Sequence, residues 1–267
     1  MPQVFAMAAL RILITGAASG IGAESAKLLR QEGAQITALD RARPEDASAI
    51  AQVWHAVDIA DAEAIDAVLG SLQGPFDAVL NIAGIPPKSD NAAALLRVNF
   101  LGLRRLSEAL ESRIAPGGAI VNLSSRAGWA WRENADQVRA LLDLAGPDAA
   151  EGFVAQHNLD PVRAYNLSKE ALTVWTFQRT EDLISKGLRM NAVCPAAVDT
   201  PILADFASAF GDRVEKLRAR LGGAGTPEQI ARLVVFLARP DSAWIRGAEL
   251  PVDGGAAALA NCAALDL

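Results

Sequence analysis

Cysteine, histidine and aromatic residues are scarce in this chain of 267 residues, and each scarcity removes a class of function. The two cysteines, Cys194 and Cys262, form neither a metal-ligand spacing nor a disulfide framework, which fits a reducing cytoplasm. The two histidines, His55 and His157, stand alone and read as structural or solvated, so no metal site is expected. No apolar run approaches the roughly 18 residues that mark a membrane span. The opening stretch 1–9 is mildly apolar but lacks a basic region and a cleavage signal; it reads as a loose leader, with Met7 an alternative start. Charges of both signs are interspersed around a net charge of −6, which argues against a nucleic-acid face and a polybasic membrane tether. What the chain does have is apolar bulk. Hydrophobic residues make up 51% and charged residues 21%, enough to bury the core of one large α/β domain.

Apolar runs at 10–15, 35–39, 53–57, 78–81, 119–123, 189–194 and 249–252 read as strands. Helical patterns lie between them at 23–31, 62–72, 91–113, 163–185 and 227–238, the last with Thr226 as N-cap and Pro227 just inside. Strands alternating with helices imply a doubly wound parallel sheet covered on both faces, and the strands are continuously apolar, as burial on both faces demands. No linker, repeat or low-complexity stretch divides the chain, so 1–267 reads as one domain. Two long connections exceed a minimal fold, 126–161 and 196–225. Both begin at the carboxyl ends of strands, where such sheets bind ligands, and long connections there serve as lids or binding loops.

The chemistry is concentrated in three places. The turn Thr15-Gly16-Ala17-Ala18-Ser19-Gly20-Ile21-Gly22 follows a strand and opens a helix. Glycines there let a pyrophosphate approach the backbone, and the helix N-terminus offers free N–H groups and a positive dipole end, although a tight strand–helix junction would use the same residues. Asp40 lies 18 residues after Gly22 at the end of the second strand, where a carboxylate takes the ribose hydroxyls of NAD and repels a 2′-phosphate. Arg41 and Arg43 follow it and leave room for NADP. Tyr165 and Lys169 stand four apart on one helix face, so phenol and ammonium point into one site, and the cation favours phenolate. Bringing a phenol of pKa about 10 into use near neutral pH takes roughly 4 kcal/mol. A cation at about 4 Å with an effective dielectric near 20 supplies about that much.

These motifs stand in one register. Thr15-Gly16-x-x-x-Gly20-x-Gly22, Asp58-Ile59, Asn81-Ile82-Ala83-Gly84, Asn99, Ser124-Ser125-x-x-Gly128, Tyr165-x-x-x-Lys169 and Pro195 together resemble a short-chain dehydrogenase/reductase over nearly the whole length. The long 126–161 segment and Tyr165-Asn-Leu-Ser-Lys-Glu-Ala-Leu-Thr-Val-Trp175 are similar to the bacterial subgroup of coniferyl-alcohol and 3α-hydroxysteroid dehydrogenases. Ser112-Arg-Ile-Ala-Pro-Gly-Gly118, Thr200-Pro-Ile-Leu203 and Trp244-Ile-Arg-Gly247 resemble the coniferyl-alcohol branch more closely.

The resemblance implies a Rossmann-like sheet with a helical insertion before the Tyr165 helix, NAD as cofactor and a homodimer or homotetramer. It implies Tyr165 as general base for alcohol oxidation, Ser125 on the substrate oxygen, Lys169 on the nicotinamide ribose and Asn99 positioning a water that leads to Lys169. Gly16, Ser19, Gly20, Ile21, Gly22 and Asp40 would hold phosphates and ribose. Asn81, Ala83 and Gly84 would line the adenosine side, Asp58 and Ile59 would meet adenine, and Val198 and Thr200 would touch the nicotinamide amide. Pro195-Ala196 departs from the family's Pro-Gly; an alanine there would be strained if the position needed positive φ. Near the site fall Trp129 and Trp131, then Ile202, Leu203, Phe206 and Phe210, which suit a flat hydrophobic alcohol or carbonyl unless they are packing residues. Trp175 reads as core, and Arg132, Glu133 and Arg139 as a solvated helix face. The function expected is oxidation of a bulky, aromatic allylic alcohol. A 3α-hydroxysteroid dehydrogenase/carbonyl reductase is the alternative within the class, and a catalytically silent NAD-binding regulator the alternative outside it.

Overall fold

The computed structural model describes residues 9–266, so the expected leader lies almost entirely outside the described residues. Seven parallel strands form one sheet, which runs in space from the third strand of the chain through the second and first to the fourth, fifth, sixth and seventh. In chain order the elements begin with β1 (Arg11–Thr15), α1 (Gly20–Gln31), β2 (Gln35–Asp40), the short α2 (Ala47–Ile50), β3 (Val53–Ala56), α3 (Ala62–Ser71) and β4 (Phe76–Asn81). The middle of the chain holds α4 (Ala92–Leu96), α5 (Gly102–Leu110), β5 (Ile114–Leu123), α6 (Ala135–Leu142), α7 (Ala150–His157), α8 (Pro161–Gln178) and α9 (Thr180–Ser185). It closes with β6 (Arg189–Pro195), α10 (Leu203–Phe210), α11 (Asp212–Leu221), α12 (Pro227–Ala238), β7 (Glu249–Val252) and α13 (Ala256–Ala264).

Successive strand residues face opposite layers, and both layers are dry. Ile12 and Ile14 pack beneath α1 and α12 with Ile36, Leu80 and Val121, whereas Leu13 packs with Leu39, Val79 and Ile120 beneath α3, α5 and α8. That is why the strands read as continuous apolar runs rather than alternating ones. Chain order reverses between β1 and β4, which are paired with Thr15 beside Asn81. The crevice of a doubly wound sheet opens at that switch, beyond the carboxyl ends of the strands.

Helix starts follow their caps. Asp160 accepts from the Arg163 amide at 2.8 Å ahead of Pro161, and Thr226 with Gln229 forms a capping box. Two of the helices expected from the sequence are divided in the structure. The helix expected over 91–113 is broken by a π-helical turn at Arg97–Leu101 that carries Asn99. The helix expected over 163–185 bends at Arg179 into α8 and α9. Ala196 is not among the residues with positive φ, so the condition under which an alanine there would be strained is not met.

The 126–161 segment is a helical layer. It opens with a 3-10 stretch, Arg126–Arg132, capped by Ser125 accepting from the Ala127 amide at 3.1 Å. Val138, Leu141 and Phe153 from α6 and α7 join the core with α8. Arg104 closes the end of α6 by donating to the Leu142 carbonyl at 2.6 Å and to Leu144, and Arg97 donates to the Pro147 carbonyl at 3.1 Å. Trp175 lies in the core against Phe100, ring edge to ring face at 6.4 Å, as its sequence position suggests.

Candidate active site

A cleft of about 1070 Å³ runs along the carboxyl ends of the strands. Its phosphate end is the turn after β1. Gly16 has φ +73°, and a Cβ there would lie 2.6 Å from the Ala83 Cα, so only glycine lets this turn meet the 82–83 backbone. Thr15 Oγ1 ties the two together by accepting from the Ile82 and Ala83 amides at 3.1 and 3.2 Å. Ser19 begins α1 without a side-chain cap and no acidic residue sits in the first turn, so the N-terminal amides remain open where Ser19, Gly20, Ile21 and Gly22 line the cleft. An uncapped helix N-terminus of this kind suits an anion. Asp40 is aimed by accepting from the Ala18 amide at 2.9 Å and the Ala42 amide at 3.0 Å. Arg41 turns away from it toward Asp58, at 3.7 Å. Asp58, Ile59, Ala83, Gly84, Val198 and Thr200 also line the cleft. This set fits a dinucleotide: open amides for the pyrophosphate, a carboxylate for the ribose and apolar walls for the rings.

Asn81 does not belong to that set. It is fully buried beneath the cleft, donating to Ser107 Oγ at 2.7 Å and Asn122 Oδ1 at 2.8 Å, so it braces β4 against its neighbours instead of lining the adenosine side. Asn99 is buried as well. Its amide brackets Ile85, accepting from the backbone N–H at 2.8 Å and donating to the carbonyl at 3.1 Å, so this side chain is engaged with the cleft wall.

Tyr165 and Lys169 project from α8 into the cleft, where Ser125 meets them from the end of β5. The approach of that loop to α8 is tight: a Cβ on Gly128 would fall 2.7 Å from the Lys169 carbonyl oxygen. Ser124 packs rather than reacts, its hydroxyl bonding the Lys169 carbonyl at 3.0 Å and Thr173 at 2.9 Å. Lys169 Nζ donates to the Leu123 carbonyl at 2.8 Å and stands 5.9 Å from the centre of the Tyr165 ring. Burial pushes the Tyr165 phenol up to about 12, and the neighbouring Ser125 hydroxyl draws it part of the way back. Burial lowers Lys169 to about 8. The expected lowering of the phenol by its lysine therefore does not prevail in the protein alone. Desolvation disfavours both charges and outweighs their mutual attraction at this separation.

The mouth of the cleft is aromatic and aliphatic. Phe206 and Phe210 of α10 meet Tyr165 edge to face at 5.1 and 6.0 Å, and Ile202, Leu203, Val214 and Leu217 extend the wall. Trp129 lines the cleft, 44% exposed, with the Arg126 guanidinium 5.0 Å above its ring. Trp131 does not. It packs on Phe177 at 5.5 Å, outside the cleft lining, with Arg132 stacked over it. Lys88 and Asp205 pair at 3.0 Å, joining the loop after β4 to α10 across the opening. The sequence reading missed a polar wall made by Asn134, Arg163, Asn166 and Glu170. Its one signal was an arginine and a glutamate seven apart on α8, two turns along one face and flanking Tyr165.

Among the described residues no cluster of His, Cys, Asp and Glu could hold a metal, and no helix is long and apolar enough to cross a membrane. Comparison with known proteins agrees with this geometry. Residues 11–135 match the family model for short chain dehydrogenase, and 150–257 the model for enoyl-(acyl carrier protein) reductase. The chain is 36% identical to a coniferyl-alcohol dehydrogenase of a Pseudomonas species, over 92% of this chain and 96% of that one. It is 30% identical to a 3-alpha-hydroxysteroid dehydrogenase/carbonyl reductase of Comamonas testosteroni, over 91% and 95% of the two chains. The crystal structure of a Pseudomonas 3-alpha-hydroxysteroid dehydrogenase complexed with NADH superposes with a TM-score of 0.82 at 29% identity, covering 94% of this chain and 98% of that one. This chain belongs to the short-chain dehydrogenase/reductase family of oxidoreductases.

Proposed function

We propose that this NAD-dependent oxidoreductase oxidises a bulky hydrophobic alcohol, an aryl allylic alcohol of the coniferyl type, to the carbonyl compound, acting as one catalytic domain. The observation that carries the reading is the edge-to-face seating of Tyr165 against Phe206 and Phe210, which puts the reacting phenol inside an aromatic mouth. The relative of highest identity quoted above is a coniferyl-alcohol dehydrogenase, which supports the same substrate class.

Gly16, Ser19, Gly20, Ile21 and Gly22 would hold the pyrophosphate, Asp40 the adenosine ribose, Asp58 and Ile59 the adenine, Ala83 and Gly84 the wall beside it, and Val198 and Thr200 the nicotinamide amide. The oxidised nicotinamide, when bound, supplies a hydride acceptor. Ser125 donates to the substrate oxygen and fixes the carbinol against Tyr165. Tyr165, as phenolate, would take the hydroxyl proton onto Oη, and Lys169, itself steadied by the Leu123 carbonyl, would hold that charge and the ribose. Asn99 keeps the Ile85 wall in place. The enzyme is read as cytoplasmic, with both cysteines unpaired. It is read as a homodimer or homotetramer, which sedimentation measures directly.

The test is purified protein with NAD and either cinnamyl-type alcohols or 3α-hydroxysteroids, followed at the nicotinamide absorbance. Faster turnover of the steroids replaces the substrate assignment, and NAD binding without turnover of any alcohol or ketone returns the regulator reading. Two further outcomes follow from the site. With Tyr165 raised to about 12, the fraction present as base grows as pH rises, so oxidation should accelerate through the alkaline range while carbonyl reduction, which needs the protonated phenol, should not. Loss of the Lys169 charge above about pH 8 should make that rise less steep without reversing it. A rate of oxidation that peaks in acid contradicts this assignment. Phe206→Ala should raise KM for aryl alcohols about tenfold, the scale of a lost aromatic contact and its buried area. Trp131→Ala should instead lower the melting temperature and leave the substrate ranking in place.

A further inference from the structure

We propose that Asn134 recognises the far end of the substrate, and that it reads a hydrogen-bond donor there, the phenolic hydroxyl of a hydroxyaryl allylic alcohol. This rests on the function proposed above and narrows its substrate class.

Asn134 stands at the N-cap of α6, where an asparagine ordinarily accepts from the helix amides. Here it makes no side-chain cap bond. Its amide is turned the other way: Nδ2 donates to the Ala130 carbonyl at 3.0 Å and to Glu170 Oε1 at 3.0 Å. Both partners are acceptors, so the amide orientation is fixed by chemistry and Oδ1 is directed away from them. Among the described residues nothing donates to Oδ1, and Asn134 lines the cleft. The group is held firmly. Glu170 is 1% exposed and accepts both guanidinium nitrogens of Arg163 at 2.8 and 2.7 Å, while Arg163 Nε donates to Gln137 Oε1 at 2.8 Å.

Position and charge define the ligand. At 100° per residue, Arg163, Asn166 and Glu170 share the α8 face next to the one bearing Tyr165 and Lys169. Their wall therefore runs beside the reacting phenol, in the cleft that the apolar residues of α10 also line. A substrate whose ring packs on Phe206 and whose carbinol meets Tyr165 extends its other end along this wall. Glu170 and Arg163 neutralise each other, so the wall carries no net charge to attract a carboxylate or an ammonium. What it offers is a neutral acceptor. Asn166 Oδ1 also lacks a partner, but it is shut off from solvent and cannot meet a ligand without rearrangement.

The experiment compares 4-hydroxycinnamyl, 4-methoxycinnamyl and cinnamyl alcohols with NAD. Wild type should use the 4-hydroxy compound with kcat/KM about tenfold above the other two, the scale of one well-placed hydrogen bond, and the difference should lie in KM. The 4-methoxy ether keeps the size and loses the donor, so equal use of the 4-hydroxy and 4-methoxy alcohols overturns the inference without any mutation. In Asn134→Ala the ratio between 4-hydroxy and 4-methoxy substrates should shrink to about twofold; a ratio kept at the wild-type value overturns it as well. Turnover of none of the three, with NAD still bound, instead sinks the proposed function, so the two failures are distinguishable.

Discussion

Tyr165→Phe is expected to lower kcat by about 10²–10⁴, the range that general acid–base groups contribute, while NAD affinity measured by fluorescence titration stays near the wild-type value. The substitution removes one oxygen and little else. Tyr165 is 7% exposed and packed by Phe206 and Phe210, so phenylalanine keeps the volume and the edge-to-face contacts. Tyr165 is the only tyrosine in the chain, and no second phenol can stand in for it. Ser125 and Lys169, the groups proposed to bind substrate and ribose, remain in the variant, so the loss should be confined to the proton transfer. A variant that retains more than about a tenth of wild-type kcat would be incompatible with Tyr165 as the base.

The structure also changes the energy accounting behind that role. Read as an isolated pair, one lysine four residues away supplies nearly all the bias that a neutral-pH phenolate needs. In the folded chain Lys169 is buried, its own pKa falls to about 8, and its ammonium faces the Leu123 carbonyl. On the proposed function, the rest of the bias on Tyr165 would come from the bound cofactor and the substrate, and the pH profile would report it.

The parts of this molecule that were legible in the sequence depend on short-range spacing. The glycine turn, Asp40 at a strand end, Ser125 before a glycine and the tyrosine–lysine pair are each fixed by local geometry, and the structure brings their lining residues to one cleft. The parts that were not legible depend on which way a side chain turns once packed. Trp129 and Trp131 flank Ala130, where the backbone kinks out of helical geometry, and only Trp129 reaches the cleft. Asn81 and Asn99 both carry amides beside the site, yet each is engaged inside the protein, Asn99 through both ends of its amide and Asn81 through Nδ2. The π turn around Asn99 inserts no glycine or proline that would announce it. Glu170 follows Lys169 on a largely buried helix, and its value as a clamp on Asn134 appears only when the insertion folds against α8.

Asp40→Ala is expected to reduce the preference for NAD over NADP, as a ratio of kcat/KM values, by about 10²–10³. Asp40 lines the cleft, is held by two backbone amides and has no cation paired with it among the described residues. A carboxylate at about 4 Å from a phosphate charge with an effective dielectric near 20 costs roughly 4 kcal/mol, close to three factors of ten, and salt screening brings the working figure lower. The cation that would greet the phosphate is already present. Arg41 has a 64% exposed side chain and leans on Asp58 at 3.7 Å, a surface pair of the kind worth about 1 kcal/mol or less, so it can turn toward a 2′-phosphate once Asp40 is gone. Adding Arg41→Ala to Asp40→Ala should therefore cancel part of the gain in NADP use and leave NAD use nearly as in the single variant. Comparing kcat/KM for both cofactors across wild type and the two variants separates repulsion by Asp40 from attraction by Arg41. An unchanged ratio in Asp40→Ala would mean that the cofactor's ribose lies elsewhere in the cleft.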